Sequence, residues 1–143
     1  MRIKKVFLAS DHAGFVLKQK ISKFLTSKGM KVLDLGTKNM SSVDYPDYAH
    51  LLAKRMGKKN NNIGILVCGS GIGMSMTANR HKNIRAALCY NIKSAKLSRM
   101  HNNANVITLG SRLTKKDVAL KCVSVFLKTN FDRGRHLRRI KKI

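Results

Sequence analysis

A cysteine opens a glycine-rich segment near the middle of the chain, Cys68-Gly69-Ser70-Gly71-Ile72-Gly73. Three glycines at alternate positions allow a tight turn and a close approach of the backbone to a ligand. The N–H groups of such a loop, with a helix N-terminus behind them, can bind a negative charge. The segment lacks the Gly-Lys-Ser/Thr of a Walker loop and the GxGxxG spacing of a dinucleotide site. It predicts that an anion, or a charge that develops during a reaction, is bound here; a packing turn is the alternative.

The first residue of this segment is the strongest candidate for a reactive group. A thiol beside a helix N-terminus and several backbone N–H groups has its thiolate form stabilised, so Cys68 can act as a base or as a nucleophile. The alternative is a core cysteine that ends a buried strand. Asp11 and His12 follow the first apolar run, and His101 comes at the end of a helical pattern. Two histidines and an aspartate at the ends of elements, all predicted to lie on the ligand side of the sheet with Cys68, favour a site over isolated structural roles.

Basic residues are concentrated near the C-terminus, at Arg135, His136, Arg138 and Arg139. A guanidinium suits phosphate because its planar fork can donate hydrogen bonds to two oxygens together. Arg112, just after the last predicted strand, can join this group from another direction. A solvated basic C-terminus is the alternative.

The composition limits the kinds of protein this chain can be. Its 143 residues, 43% of them hydrophobic, suffice for one domain with a core. The three cysteines show neither CxxC nor Cys/His metal spacing, so a disulfide framework or a zinc site is not expected. The apolar run at residues 6–9 is too short for a signal peptide or a transmembrane helix. We therefore predict a cytoplasmic protein with no membrane partner.

The charge is unusual, because 30 Lys and Arg residues face six Asp residues, giving a formal net charge of +24. Such a charge attracts phosphorylated metabolites, nucleic acid or anionic membranes. The lysines are scattered and no aromatic pattern accompanies them, whereas a nucleic-acid footprint is clustered. Specific nucleic-acid binding is therefore not the favoured interpretation.

Apolar runs and helical patterns alternate along the chain and predict five strand–helix units. The predicted strands cover residues 6–9, 31–35, 63–67, 84–89 and 106–109. The predicted helices cover residues 17–25, 46–56, the glycine-rich segment to about 79, 92–101, and 114–127 with Thr114 as N-cap. Residues 60–62 form a predicted loop, and His50 and His81 are predicted to be surface residues.

Five such units in one chain indicate a single α/β domain over residues 1–143. We expect a Rossmann-like three-layer αβα sandwich with a five-stranded parallel sheet and a basic C-terminal tail from residue 132. Ligands of these folds bind beyond the carboxyl ends of the strands. That rule selects the segments Ser10-Asp11-His12, Cys68 to Gly73, the residues after Cys89, and Gly110-Ser111-Arg112.

Seven motifs in order resemble ribose-5-phosphate isomerase type B, whose fold the galactose-6-phosphate isomerase subunits share. They are Asp11-His12-Ala13-Gly14, Asp44-Tyr45-Pro46, Cys68 to Gly73, Ser98-Arg99-Met100-His101-Asn102, Asn105-Val106, Gly110-Ser111-Arg112 and Gly134-Arg135-His136. The resemblance runs from about residue 3 to residue 140. The chain departs from the family in its net charge and at Arg133, which stands where glycine is frequent.

The resemblance implies a role for each matching residue. Cys68 corresponds to the base that removes a proton from the sugar, and His101 to the acid that opens the ring. Some members use a Glu of the following helix as the base; this chain has no Glu, in line with the cysteine form. Ser70 is expected to relay a proton between two sugar oxygens, and Asp11 completes the catalytic set. The residues expected to bind substrate are Asp11, His12, Gly69, Ser70, Gly71, Ile72, Gly73, Asn102, Arg112, Arg135, His136 and Arg139.

The implied reaction interconverts ribose 5-phosphate and ribulose 5-phosphate through a cis-enediolate, in the non-oxidative pentose phosphate pathway, without metal or cofactor. Members of the family are dimers or dimer pairs with shared sites, so we expect a homodimer or homotetramer whose tail, residues 132–143, reaches the neighbour's site. Three alternatives stay open: an isomerase of allose or galactose 6-phosphate, a basic nucleic-acid-binding protein, and a redox or hydrolytic enzyme with Cys68 as nucleophile.

Overall fold

The computed structural model describes residues 3, 5–58 and 61–143. The strands are β1 (Lys5–Ser10), β2 (Val32–Asp34), β3 (Asn62–Cys68), β4 (Ala86–Leu88) and β5 (Val106–Gly110). The helices are α1 (Phe15–Ser27), α2 (Tyr45–Met56), α3 (Ile72–Ala78), α4 (Ile92–Asn102), α5 (Lys116–Lys128) and α6 (Gly134–Ile140). Asn60, part of the predicted loop at 60–62, lies outside the described residues.

The five strands form one parallel sheet in the order β2-β1-β3-β5-β4. After β1 the chain moves to one side of the sheet, and after β3 it moves to the other. The carboxyl ends of β1 and β3 therefore border the crevice where ligands bind in folds of this kind. Ser10 pairs with Val67 and Cys68 pairs with Gly110, so the loops that follow β1, β3 and β5 meet at this edge.

Side chains of the central strand alternate between two apolar cores, one on each face of the sheet. Ile63, Ile65 and Val67 pack in the core beneath α1, α4 and α5, whereas Leu66 and Cys68 pack in the core beneath α2 and α3. All seven residues of β3 are buried, as a strand covered by helices on both faces must be. The fold class predicted from the sequence, a Rossmann-like αβα sandwich, is confirmed.

The structure corrects three local predictions. The fourth strand is only Ala86–Leu88, although the N–H of Cys89 still donates a hydrogen bond to the Thr108 carbonyl of β5 over 3.1 Å. Lys115, not Thr114, is the N-cap of α5; the Thr114 hydroxyl is instead buried without a hydrogen-bond partner. The predicted basic tail contains a helix, α6, whose Leu137 and Ile140 are half-buried.

Of the helices described, none is long and apolar enough to cross a membrane.

Candidate active site

Cys68 is the last residue of β3, and its Sγ lies at the start of α3. The N–H of Gly71 donates a hydrogen bond to this sulfur over 3.1 Å. The residue is 4% exposed, and its side chain also packs in the core beneath α2 and α3. The sequence predicted this position, and the structure adds the hydrogen bond that fixes it.

The glycine-rich loop is held by contacts that only glycine allows. Gly71 has φ +80°, and a methyl group there would lie 2.9 Å from the backbone carbon of Leu109. At Gly73 a methyl group would lie 2.4 Å from the ring of Tyr45. Both distances are shorter than van der Waals contact, so the loop is packed between the β5 backbone and the first residue of α2.

The polar groups of Ser70 are used to shape this loop. Its Oγ accepts a hydrogen bond from the N–H of Ile72 over 3.2 Å, and its carbonyl oxygen accepts one from the Tyr90 hydroxyl over 3.1 Å. The Ser70 hydroxyl hydrogen can still be donated, because these two bonds use only acceptor positions of the residue.

The segment after β1 brings an acid and a histidine to the same edge. The N–H of Asp11 donates to the carbonyl of Val67 over 3.2 Å, next to Cys68 in sequence. The Asp11 carboxylate is 6% exposed and accepts a hydrogen bond from the N–H of Gly14 over 3.0 Å. The Nδ1 of His12 accepts the N–H of Val43 over 3.2 Å. In a neutral His12 ring this bond places the proton on Nε2, which leaves a donor for an anionic oxygen.

Arg112 completes the group at the carboxyl edge. The N–H of Ser111 donates to the Cys68 carbonyl and that of Arg112 to the Gly69 carbonyl, over 2.9 and 3.0 Å. The guanidinium lies over Gly69, where a methyl group would be 3.1 Å from Nη1. One cation is thereby fixed beside the glycine-rich loop, whereas the C-terminal arginines that Arg112 was predicted to join lie on α6.

A second group of predicted site residues lies at the end of α4. The ring of His101 stacks on that of His136 in α6, with centroids 4.3 Å apart and planes 11° apart. Asn102 is the last residue of α4, and Arg135 and Arg139 lie with His136 on α6. Partial burial, then His101 and Arg135, lower the pKa of His136. The lowered pKa disfavours a positive charge on His136 next to the ring of His101.

The placement of His101 corrects a sequence-based expectation. We expected His101 at the same edge of the sheet as Cys68, but α4 starts near the carboxyl edge and runs back to the amino edge. Its 11 residues span about 16 Å at the rise of an α-helix. Within one chain, His101 and Asn102 therefore lie at the edge opposite to Cys68.

Two aromatic residues of the site were missed by sequence analysis. Tyr45 packs on Gly73, and Tyr90 bonds the Ser70 carbonyl. Tyr45 belongs to the motif Asp44-Tyr45-Pro46, but nothing in that motif indicates a contact with a loop 28 residues later.

His50 and His81, predicted to be surface residues, are half-buried and hydrogen-bonded to each other over 2.7 Å.

The other two cysteines are in the interior. Burial raises the pKa of Cys89 and raises that of Cys122 to about 11.

Among the described residues, no group of three or more His, Cys, Asp or Glu side chains is placed to hold a metal ion. Catalysis without metal or cofactor stays a prediction.

The model of the family described as "Ribose/Galactose Isomerase" matches residues 6–143 of the chain. The chain belongs to this family. Within the family, ribose-5-phosphate isomerase B of Escherichia coli K12 is 39% identical over 141 residues, which cover 99% of this chain and 95% of the relative.

Two crystal structures of family members show how closely the fold is shared. A ribose 5-phosphate isomerase from Thermotoga maritima superposes with a TM-score of 0.94 and is 48% identical, covering 99% of this chain and 97% of that one. Ribose-5-phosphate isomerase B of Mycoplasma genitalium, solved with bound ribulose-5-phosphate, has a TM-score of 0.93 and 46% identity, with 99% and 95% covered. These similarities favour a sugar-phosphate isomerase over the nucleic-acid-binding and hydrolytic alternatives.

Proposed function

We propose that this chain interconverts ribose 5-phosphate and ribulose 5-phosphate. The observation that carries this function is the sulfur of Cys68, held by the Gly71 N–H at the carboxyl edge of the sheet beside Asp11, His12 and Arg112. The bound ribulose 5-phosphate of a relative 46% identical over nearly the whole chain supports the substrate. The proposed setting is the non-oxidative pentose phosphate pathway in the cytoplasm.

The proposed site is shared between two copies of the chain. In one copy, His101, Asn102 and the α6 arginines lie away from Cys68, at the other edge of the sheet. A two-fold dimer that sets the amino edge of one copy against the carboxyl edge of its partner supplies both groups to each site. In this dimer each copy contributes both its tail, residues 132–143, and the end of its α4 to the site of its partner.

The first step of the proposed mechanism is ring opening. His101 of a second copy donates a proton to the ring oxygen of the furanose, the bond from C1 to this oxygen breaks, and the anomeric hydroxyl releases its proton to water, which yields the open aldose. His136, stacked on His101, fixes the plane of its ring. Asp11 and Asn102 are proposed to orient the sugar hydroxyls.

The second step is proton transfer from C2 to C1. The Cys68 thiolate removes the C2 proton and forms a cis-enediolate. Backbone N–H groups of the loop from Gly69 to Gly73, other than those of Gly71 and Ile72 that already donate within it, are proposed to stabilise the developing charge, as in an oxyanion hole. Ser70 moves a proton between O1 and O2, and the Cys68 thiol returns its proton to C1 to give the ketose. The phosphate is proposed to be bound by His12 and Arg112 of one copy and by Arg135 and Arg139 of the other.

An isomerisation assay with three substrates tests the proposed function. Purified full-length protein is given ribose 5-phosphate, allose 6-phosphate and galactose 6-phosphate in parallel, and ketose formation is measured. We expect the highest kcat/KM with ribose 5-phosphate. Faster turnover of either hexose phosphate would assign the chain to the hexose branch, and no turnover of any would refute the isomerase function.

A further inference from the structure

A cavity of about 840 Å³ lies at the amino edge of the sheet, away from Cys68 of the same chain. Its lining comes from the segment after α2, the segment before β4, the end of α4 with the segment before β5, and the connection between α5 and α6. Its volume is in the range of small-molecule sites. None of the residues assigned above to isomerisation lines it.

The cavity is lined by cations from four parts of the chain. They are Lys58, Lys82, Arg85, Arg99 and Arg133. No Asp is among the described residues that line it. Five positive side chains around one concavity without an acid attract anions and repel cations.

Two of these cations are built into the fold. Arg99 is 4% exposed; its Nε donates to the Thr129 carbonyl over 3.3 Å, and its Nη1 donates to the Ala104 carbonyl. The Nε of Arg85 donates to the Asn103 carbonyl over 3.0 Å. These hydrogen bonds to backbone carbonyls fix both guanidiniums in place without neutralising their charge. Burial, and then the nearby charge of Arg85, lowers the pKa of Arg99.

Arg133 lies in the cavity wall in a backbone conformation that side-chain-bearing residues rarely adopt. Its φ is +58° and its ψ is −119°, a region in which glycine is favoured and other residues are strained. Glycine would therefore occupy this position more easily than arginine. Arg133 thereby brings a positive charge to the cavity from a fourth part of the chain, the connection between α5 and α6.

We propose that this cavity is a second anion-binding site, separate from the isomerase site, for a small molecule that carries two or more phosphate charges. Five cations exceed what a single phosphate monoester needs for neutralisation, and the volume exceeds that of one phosphate. Guanidiniums fixed by backbone carbonyls suit phosphate oxygens because the donor geometry is already set before binding.

Titration calorimetry of the full-length protein with inorganic pyrophosphate tests this site. All proteins carry Arg112→Ala, which weakens the phosphate subsite proposed for the isomerase. On that background, Arg133→Gly and Lys82→Gln remove one cavity charge each. Lys20→Gln and Lys121→Gln remove one exposed lysine each on α1 and α5, outside the cavity lining. Arg133→Gly suits the existing backbone angle, so it does not disturb folding.

The expected result is a rise in the Kd for pyrophosphate of about fivefold or more for each cavity variant, as expected when a charge-assisted hydrogen bond is lost. The two control variants should change the Kd by less than about twofold, since they act only through screened long-range charge. Orthophosphate should bind more weakly than pyrophosphate to the cavity. Equal effects of all four substitutions would assign the binding to the net charge alone and overturn the proposal, as would an absence of pyrophosphate binding.

Discussion

Cys68 differs from the other two cysteines in what surrounds its sulfur. A backbone N–H donates to it at the edge of the ligand crevice, whereas Cys89 and Cys122 are enclosed by apolar side chains of the core beneath α1, α4 and α5. The chemistry proposed for this protein depends on that difference. It leads to two predictions about the thiols and one about the phosphate-binding arginines.

Cys68→Ala is expected to lower kcat for isomerisation by about 10²–10⁴, because a positioned acid–base group contributes that much to rate. Ribose 5-phosphate should still bind, since the phosphate contacts remain. Calorimetry of substrate binding beside the kinetic assay separates the two effects. Cys122→Ala is the control and should keep near-normal kcat. Near-normal turnover by Cys68→Ala would remove this residue from the mechanism.

The three thiols are expected to react with an alkylating agent in different pH ranges. With its pKa raised to about 11, Cys122 stays protonated and unreactive at pH 7.5, and the raised pKa of Cys89 has the same effect. Iodoacetamide should therefore modify Cys68 first, with parallel loss of activity, as followed by peptide mass spectrometry. Cys122 should react only as the pH approaches 11, where its ionisation also favours unfolding. Modification of Cys122 before Cys68 at pH 7.5 would contradict this assignment.

Arg139→Ala is expected to raise KM by about tenfold with little change in kcat, because a phosphate contact contributes similarly to ground-state and transition-state binding. Arg138→Ala is a matched control, since it removes the same charge from the next residue of α6. The measurement is a substrate-saturation curve for each variant. Equal KM values for the two variants would refute the specific role of Arg139.

At the scale of elements, the start of α3 and the end of α4 determine the site. The loop before α3 is narrow because Gly71 abuts the β5 backbone and Gly73 abuts the ring of Tyr45. The direction of α4 carries His101 to the opposite edge of the sheet. The first feature follows from packing between elements that are distant in the sequence, and the second follows from the return of a helix that connects two parallel strands.

Gly71→Ala and Gly73→Ala are expected to destabilise the protein for different reasons. Gly71 has φ +80° and its added methyl group meets backbone, so the cost is about 1–2 kcal/mol or more whatever side chains surround it. At Gly73 the methyl group meets only the Tyr45 ring, so Tyr45→Ala should rescue Gly73→Ala but not Gly71→Ala. Denaturant unfolding of the single and double variants measures this. Equal rescue of both would contradict the distinction.

At the scale of the whole molecule, the two halves of the proposed site can meet only between copies. The group with Cys68 and the group with His101 lie at opposite edges of one sheet, about the length of α4 apart. The arrangement makes a direct test by complementation possible.

Inactive Cys68→Ala and His101→Ala chains are expected to regain activity when they are mixed and allowed to exchange subunits. Each hybrid dimer has one site with both lesions and one site with none. Random pairing of equal amounts should restore about a quarter of the wild-type activity. The control mixes Cys68→Ala with Cys68→Ser, which cannot form an intact site. Hybrid dimers that are detected by native mass spectrometry but remain inactive would refute the shared site.

The sequence by itself determined the parts of the protein that depend on local pattern. Apolar runs and helical spacing located all five strands and the first five helices to within a few residues, because burial on a sheet or beneath a helix imposes a regular period. The glycine-rich loop was recognised because its glycines and cysteine are contiguous. The direction of α4 was also implicit, since a helix that follows a parallel strand must return to the opposite edge.

The tertiary structure alone decided what depends on contacts between distant segments. Tyr45 and Tyr90 shape the loop from positions that no local pattern connects to it, and α6 forms beside the end of α4 within a stretch whose charge predicted only a tail. The cations of the amino-edge cavity are scattered from Lys58 to Arg133 in the sequence. Their proximity arises because four chain segments end at one edge of the sheet, and only the folded chain brings those ends together.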